Sequence, residues 1–190
     1  MRYSKEHKDE TRKRIVQKAG ERFRAEGIDS VGVASLMQSV GLTAGGFYAH
    51  FRSKEDLVAQ ACDESWSNTT ARFRRFIESK PKGERLLALI DAYLSKLHRD
   101  ELGSGCVAAA NGPELVRQSL EARAAFTSQL NAWINLIDVT MKADGWKGDA
   151  RGIAGALVGT LILSRTVDDP TLSEAFLESG RKAIRASLSK

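Results

Sequence analysis

Cysteine, histidine and proline are scarce in this 190-residue chain, and each scarcity removes a class of function. Two cysteines, Cys62 and Cys106, stand 44 positions apart and match no metal-ligand or disulfide spacing, so they read as buried or idle thiols. The three histidines, His7, His50 and His98, do not cluster. No HExxH motif, Gly-rich phosphate loop or nucleophile–base pair is present, so the chain does not read as an enzyme and calls for no metal and no cofactor. Long hydrophobic runs are missing too. A helix needs about 20 apolar residues to cross a bilayer, and the longest candidate, 153–163, is short and interrupted by glycine. Residues 1–7 lack the apolar segment of a signal peptide, which makes the cytoplasm, with no membrane partner, the expectation. Neither a period-2 strand pattern nor an internal repeat occurs. The chain reads as all-α.

The composition, 42% hydrophobic and 28% charged, is that of an ordinary globular protein, and the length allows one large domain or two small ones. The net charge of +5 is unevenly placed. Residues 1–54 hold 11 Lys and Arg against 6 Asp and Glu, whereas residues 55–190 hold 18 of each. All of the excess positive charge sits in the first 54 positions, which suggests a polyanion partner for that part.

Ile15, Val16, Ala19 and Phe23 have helical spacing and predict a helix over 9–26, after a loose polar arm at 1–8. Gly27 follows as its terminator. Val33, Leu36, Met37 and Val40 predict a short amphipathic helix ended by Gly41. Ser53, with Glu55 and Asp56 behind it, opens a long helix to about Ser79. Pro81 and Gly83 break the chain, and 84–98 reads as one largely buried helix through Leu86, Ile90, Leu94 and Leu97. After a loop at 102–105, a short small-residue helix at 106–110 ends at Asn111-Gly112. Pro113 then starts a long helix to about Ala143. A turn at 145–148 precedes a helix over 149–164 and a break at Asp168-Asp169-Pro170. Thr171 and Glu174 have the capping-box spacing for a last helix to about Leu188. The total is about nine helices.

Between the second helix and the long one lies Gly41-Leu42-Thr43-Ala44-Gly45-Gly46-Phe47-Tyr48-Ala49-His50-Phe51-Arg52-Ser53-Lys54. Thr43 is predicted to cap a short helix with its hydroxyl. Phe47 and Phe51 share a face that can be buried, leaving Ala44, Gly45, Tyr48 and Ala49 outward. Two short helices joined by a tight Gly turn make a helix-turn-helix. The preceding helix closes a small core of Ile15, Phe23, Leu36, Val40, Phe47 and Phe51. In this arrangement the start of the second helix meets base edges. Thr43, Ala44, Gly45 and Gly46 are nearly free of side chain, so direct readout is thin: Thr43, plus Ala44 against a thymine methyl. Tyr48 and His50 offer donors at the flank, and His50 also reads as a helix C-terminal cation. Lys54 stands at a helix N-terminus, where free N–H groups favour an anion as well. Ser35 on the second helix, and Arg2 and Lys5 on the arm, are further contact candidates.

This string, continued through Glu55-Asp56-Leu57, resembles the signature of the TetR/AcrR family of transcriptional regulators. The likeness runs back through Thr11-Arg12 and Phe23 to Gly27. It implies DNA binding, with Tyr48, His50 and Lys54 at family positions that hold phosphates. Gly103-Ser104-Gly105-Cys106 and Asp168-Asp169-Pro170 resemble one branch of the family. In that branch position 44 is expected to be His and position 40 Ala, and the departure at Ala44 removes a hydrogen-bonding group from the DNA face. The division expected is a DNA-binding helix-turn-helix domain at 1–54 and an effector-binding and dimerisation domain at 55–190, which matches the family in architecture only.

So few base-reaching groups would make a monomer a weak binder. A palindromic operator with half-sites about one helical turn apart, or a multiple of it, is expected. Leu157, Val158 and Leu161 (with Gly155 and Gly159 four apart) and Phe176, Leu177 and Ile184 form apolar faces suited to a homodimer. Burial inside the monomer is the competing reading. The resemblance implies a small apolar or amphipathic effector among the middle helices, lined by Trp66, Phe73, Ile90, Tyr93, Cys106, Phe126, Leu130, Trp133 and Ile137. The whole reads as a dimeric repressor released from its operator by that effector. The alternatives are a DNA-binding protein without an effector and a thiol-redox sensor acting through Cys106.

Overall fold

The computed structural model describes residues 5–190. Among the described residues the protein is all-α, with nine α-helices, one 3-10 segment and a single isolated bridge pair, Lys147 with Ser189. Helix α1 runs Lys5–Glu26. The expected loose arm is therefore helical from Lys5, with Glu6 in its first turn where a carboxylate complements the helix dipole. Arg2 and the side chain of Lys5 lie outside the described residues.

Helix α2, Val33–Ser39, ends as expected at Gly41, in a left-handed conformation with φ of 75°. The Gly41 N–H donates to the Gln38 carbonyl at 3.0 Å and the Leu42 N–H to Met37 at 2.9 Å, which is the Schellman closure. This geometry fixes the turn. The following segment, Ala44–Ala49, is a 3-10 helix, not the α-helix expected. Two adjacent glycines in six residues cannot sustain α-helical nucleation, and short 3-10 runs are the usual outcome. Thr43 precedes it in extended conformation, but its hydroxyl makes no capping bond; its carbonyl accepts from the Gly46 N–H instead.

Helix α3, Lys54–Glu78, opens as the sequence predicts, with the Ser53 hydroxyl accepting from the Asp56 N–H at 3.2 Å. The helix expected over 84–98 is two: α4, Arg85–Tyr93, and α5, Lys96–Asp100. Ser95 caps α5 by accepting from the His98 N–H, and the His98 ring reaches back to the Tyr93 carbonyl at 2.7 Å. Leu97 is consequently exposed. The start of α4 is capped from a distance, by the buried Asp144 carboxylate accepting from the Gly83 and Leu86 N–H groups at 2.7 Å each.

The next boundary also moves. Helix α6, Val107–Leu115, continues through Gly112 and Pro113, and α7, Leu120–Ala143, starts at a Ser119 cap. Tertiary anchors hold the end of α6: Asn111 bonds the Phe23 carbonyl, and Leu115 is buried. Helix α8 spans Ala150–Thr166 and α9 spans Pro170–Ala186. Asp169, not Thr171, caps α9, accepting from the Thr171 N–H at 2.8 Å, and Pro170 occupies the first turn, where its missing N–H is no loss. Glu174 pairs with Lys96 of α5 instead of closing a capping box. Helix α3 packs on both α1 and α7, and α8 packs on α9, so α3 links the N-terminal three-helix unit to the rest.

Candidate nucleic-acid interface

The N-terminal unit is held by Ile15, Phe23, Leu36, Met37, Phe47 and Phe51, all buried, with Val40 half-buried against them. Phe47 and Phe51 stack at 5.3 Å between centroids, and they fasten the 3-10 segment to the core. Everything the segment does not use for anchoring faces outward. Thr43, Ala44 and Gly45 are exposed and Gly46 half-exposed. A Cβ added at Gly45 would meet nothing within 4 Å, and one at Gly46 would make ordinary contact with Met37 at 3.7 Å. Internal packing does not require either glycine. Their bareness leaves the strip open to a close approach from outside.

Tyr48 is 73% exposed, its ring set edge-on against Phe47, so the hydroxyl is free at the flank of this bare strip. His50 closes the segment half-buried, with Nδ1 unpartnered. Burial, reinforced by Lys8 and Arg12, lowers its pKa, which disfavours the cationic form at this helix end. Lys54 is the first residue of α3, half-exposed. The neighbouring N–H groups are engaged: Asp56 N–H bonds Ser53, and the Glu55 carboxylate, its pKa lowered by Ser53 and its own backbone, occupies the same turn. An anion here would rest on the Lys54 ammonium more than on the helix end. Ser35 is exposed, but its hydroxyl donates to the Gly32 carbonyl and accepts from Arg22 at 3.3 Å.

Arg12 has a structural role that the residue pattern does not disclose. Its guanidinium sits 4.8 Å from the Phe51 centroid, donates to the His50 carbonyl and reaches Gln60 at 2.7 Å. Gln60 in turn donates to Asp56 at 2.7 Å, and Asp56 accepts from the Arg52 N–H at 3.0 Å. This chain of bonds locks the end of the 3-10 segment to the start of α3, fixing Tyr48, His50 and Lys54 relative to one another. Arg14 adds a bond to the Val40 carbonyl at the turn.

Away from this face, Trp66, Phe73, Ile90, Tyr93, Cys106, Trp133 and Ile137 are buried, with Phe126 and Leu130 half-buried beside them. Trp66 meets Phe126, while Phe73, Tyr93 and Trp133 contact one another at 5.3–5.7 Å. Burial pushes the Cys62 thiol up to about 12, which makes it inert, and Cys106 is 4% exposed at the start of α6. Leu157, Leu161, Leu177 and Ile184, expected at a dimer face, are buried inside the chain where α8 crosses α9. Val158 and Phe176 stay half-exposed. The outward surface of this pair carries Leu163 and Leu172 and two glycines, 155 and 159, with open space beside them.

Residues 15–61 match the family model for bacterial regulatory proteins of the tetR family. The chain is 33% identical over 67 residues to the HTH-type transcriptional regulator AcrR of Shigella flexneri, a match covering 35% of this chain and 31% of that relative. The crystal structure of E. coli NemR in its reduced form superposes with a TM-score of 0.81 at 17% identity, covering 95% of this chain and 97% of that one. AibR, solved in complex with isovaleryl coenzyme A and operator DNA, superposes at 0.66 with 14% identity, covering 91% and 97%. No helix among the described residues is long and apolar enough to cross a membrane. Residues 15–61 thus carry a helix-turn-helix of the tetR-family type, within an all-α fold that the chain shares with these solved structures, and the chain spans about a third of the length of the AcrR relative it matches.

Proposed function

We propose that the protein is a homodimeric repressor that binds a palindromic operator through Thr43–Gly46, Tyr48, His50 and Lys54, and leaves it when a small effector binds residues 55–190. The observation that carries this reading is the bare, outward 44–46 strip, whose glycines no internal contact demands, flanked by exposed Tyr48 and by Lys54. The excess charge of the first 54 residues supports the same face. Ser35 contributes only if its bond to Gly32 is given up.

The dimer surface in this reading is the outer side of α8 and α9, built on Val158, Leu163, Leu172 and Phe176 around open Gly155 and Gly159. An effector acts through linkage: it binds more tightly to the state whose two recognition segments are wrongly spaced. Helix α6 is placed to carry that change, because Glu114 accepts from the Ile28 N–H at 2.6 Å and Asn111 holds Phe23. AibR, with its acyl-coenzyme A and operator, is a relative of this fold for which both ligands are named. Selection from a random duplex library, followed by anisotropy titration, tests the reading. A two-fold symmetric site bound by a dimer is the expected result; recovery of no sequence contradicts it.

A further inference from the structure

Tyr93, Trp133 and His98 are each more than nine-tenths buried; Trp133 Nε1 and His98 Nε2 have no hydrogen-bond partner, and the Tyr93 hydroxyl meets only the weak Cys106 thiol. Protein interiors normally satisfy such groups, and a cluster of exceptions asks for a missing partner. Tyr93 lies against His98 at 4.7 Å and Trp133 at 5.6 Å between centroids, and its hydroxyl lies near Cys106 and Arg165. His98 gives its Nδ1–H to the Tyr93 carbonyl at 2.7 Å, which leaves Nε2 as an acceptor.

Arg165 borders Tyr93 and His98, Arg72 borders His98, and Arg24 lies beyond them near Cys106. Arg165 donates to the carbonyls of Arg99 and His98 at 3.0 and 2.7 Å, and Arg24 donates to that of Gly103. Each keeps a buried Nη1 without a partner. The acids nearby are Asp100, paired with Arg99, Glu21, paired with Lys18, and Glu101, which accepts from the Ser104 hydroxyl and lines the groove beside His98. The unmet groups are mostly donors, and buried Arg165 meets only an exposed carboxylate, that of Asp100, which Arg99 already engages. A cationic head group would meet repulsion here, and a neutral one would leave the guanidinium charge uncompensated.

A groove of about 390 Å³ lies directly outside, walled by Phe73, Phe76, Leu97 and His98, with Arg72 and Glu101 also lining it. Phe73 and His98 form its inner wall and pack on Tyr93 at 5.7 and 4.7 Å. We propose that the effector is a small organic carboxylate whose apolar body occupies this groove and whose oxygens, after His98 or Phe73 swings aside, accept from Arg165, Tyr93 and Trp133. The proposal rests on the regulator reading and names the chemistry of its effector.

The test uses the full chain and three probes that share a ring and differ in head group: benzoate, benzyl alcohol and benzylamine. Calorimetry measures their affinities, and tryptophan fluorescence reports on Trp133. Benzoate is expected to bind at least about tenfold tighter than the other two. Arg165→Gln and Tyr93→Phe are each expected to reduce benzoate to the level of benzyl alcohol. Tyr93→Phe removes a single oxygen from a packed ring, so it decides the matter if Arg165→Gln does not fold. Absence of benzoate binding, equal affinity for the three probes, or an unchanged preference in Tyr93→Phe overturns the proposal. Operator affinity is measured on the same preparation. Intact DNA binding without benzoate binding removes the carboxylate site alone, whereas selective benzoate binding without any DNA binding keeps the site and removes the regulator reading.

Discussion

Asn111 donates from Nδ2 to the Phe23 carbonyl at 2.6 Å, joining α6 to the end of α1 in a place closed to solvent. Three residues on, Glu114 holds the Ile28 N–H from the same helix. Any displacement of α6 must therefore move α1 and the helix-turn-helix behind it. Asn111→Ala should cost about 1–3 kcal/mol, because a buried amide bond is lost while the Phe23 carbonyl keeps only its bond from Gly27. The melting temperature should fall by several degrees, and the effect of a bound effector on operator affinity should shrink. A variant that melts like the wild type and responds fully to effector would show that this bond carries no coupling.

Lys54→Ala should weaken binding to every duplex alike and lower the salt slope by about one unit per protomer, the signature of a lost phosphate contact. Titration at several salt concentrations against the selected operator and a scrambled duplex checks it. Loss confined to the operator would instead assign Lys54 to base readout.

Arg12→Ala should release the end of the recognition segment, since one guanidinium serves Phe51, the His50 carbonyl and Gln60. Hydrogen exchange at the His50 and Phe51 amides should speed up, and operator affinity should fall although Arg12 itself is only half-exposed. Unaltered exchange at those two amides would mean that the Phe47–Phe51 stack alone holds the segment.

The helix-turn-helix was legible because its determinants are local. Apolar spacing at Ile15, Phe23, Leu36 and Met37, and a left-handed residue at Gly41, act over a few positions. What was not legible came from distant partners. The break between α4 and α5 is held by Arg181 of α9 at the Leu94 carbonyl and by His98 turning back on Tyr93. Helix α6 runs through Gly112-Pro113 because Asn111 and Glu114 are anchored on α1 and the turn behind it, against the local preference to stop. The Thr43 cap failed for the opposite reason: the segment is too short and too rich in glycine to become the α-helix whose N–H the hydroxyl would accept. Of the residues expected at a dimer face, Leu157, Leu161, Leu177 and Ile184 point inward, because helical phase alone could not say which side the neighbouring helices would cover.

His98 should make stability depend on acidity. Burial lowers its pKa to about 4, with Arg165 and Arg72 adding to the effect against the Tyr93 carbonyl. An unfolded histidine protonates near 6.5, so the stabilising contribution of neutral His98 is present above that pH and lost as pH falls toward about 4, a change of about 3 kcal/mol. Melting temperatures followed from neutral pH to pH 4 should drop more steeply for the wild type than for His98→Gln. Parallel curves would place the acid sensitivity elsewhere.

The glycines of the recognition segment test the central claim most directly, because fold and DNA binding separate there. A Cβ at Gly45 meets no atom of the protein within 4 Å, so Gly45→Ala should fold with an equal or slightly higher melting temperature. Against the selected operator its affinity should fall by at least about tenfold, the worth of one base contact. Gly45→Ala binding the operator as tightly as the wild type, at unchanged stability, would contradict the assignment of this strip to the groove.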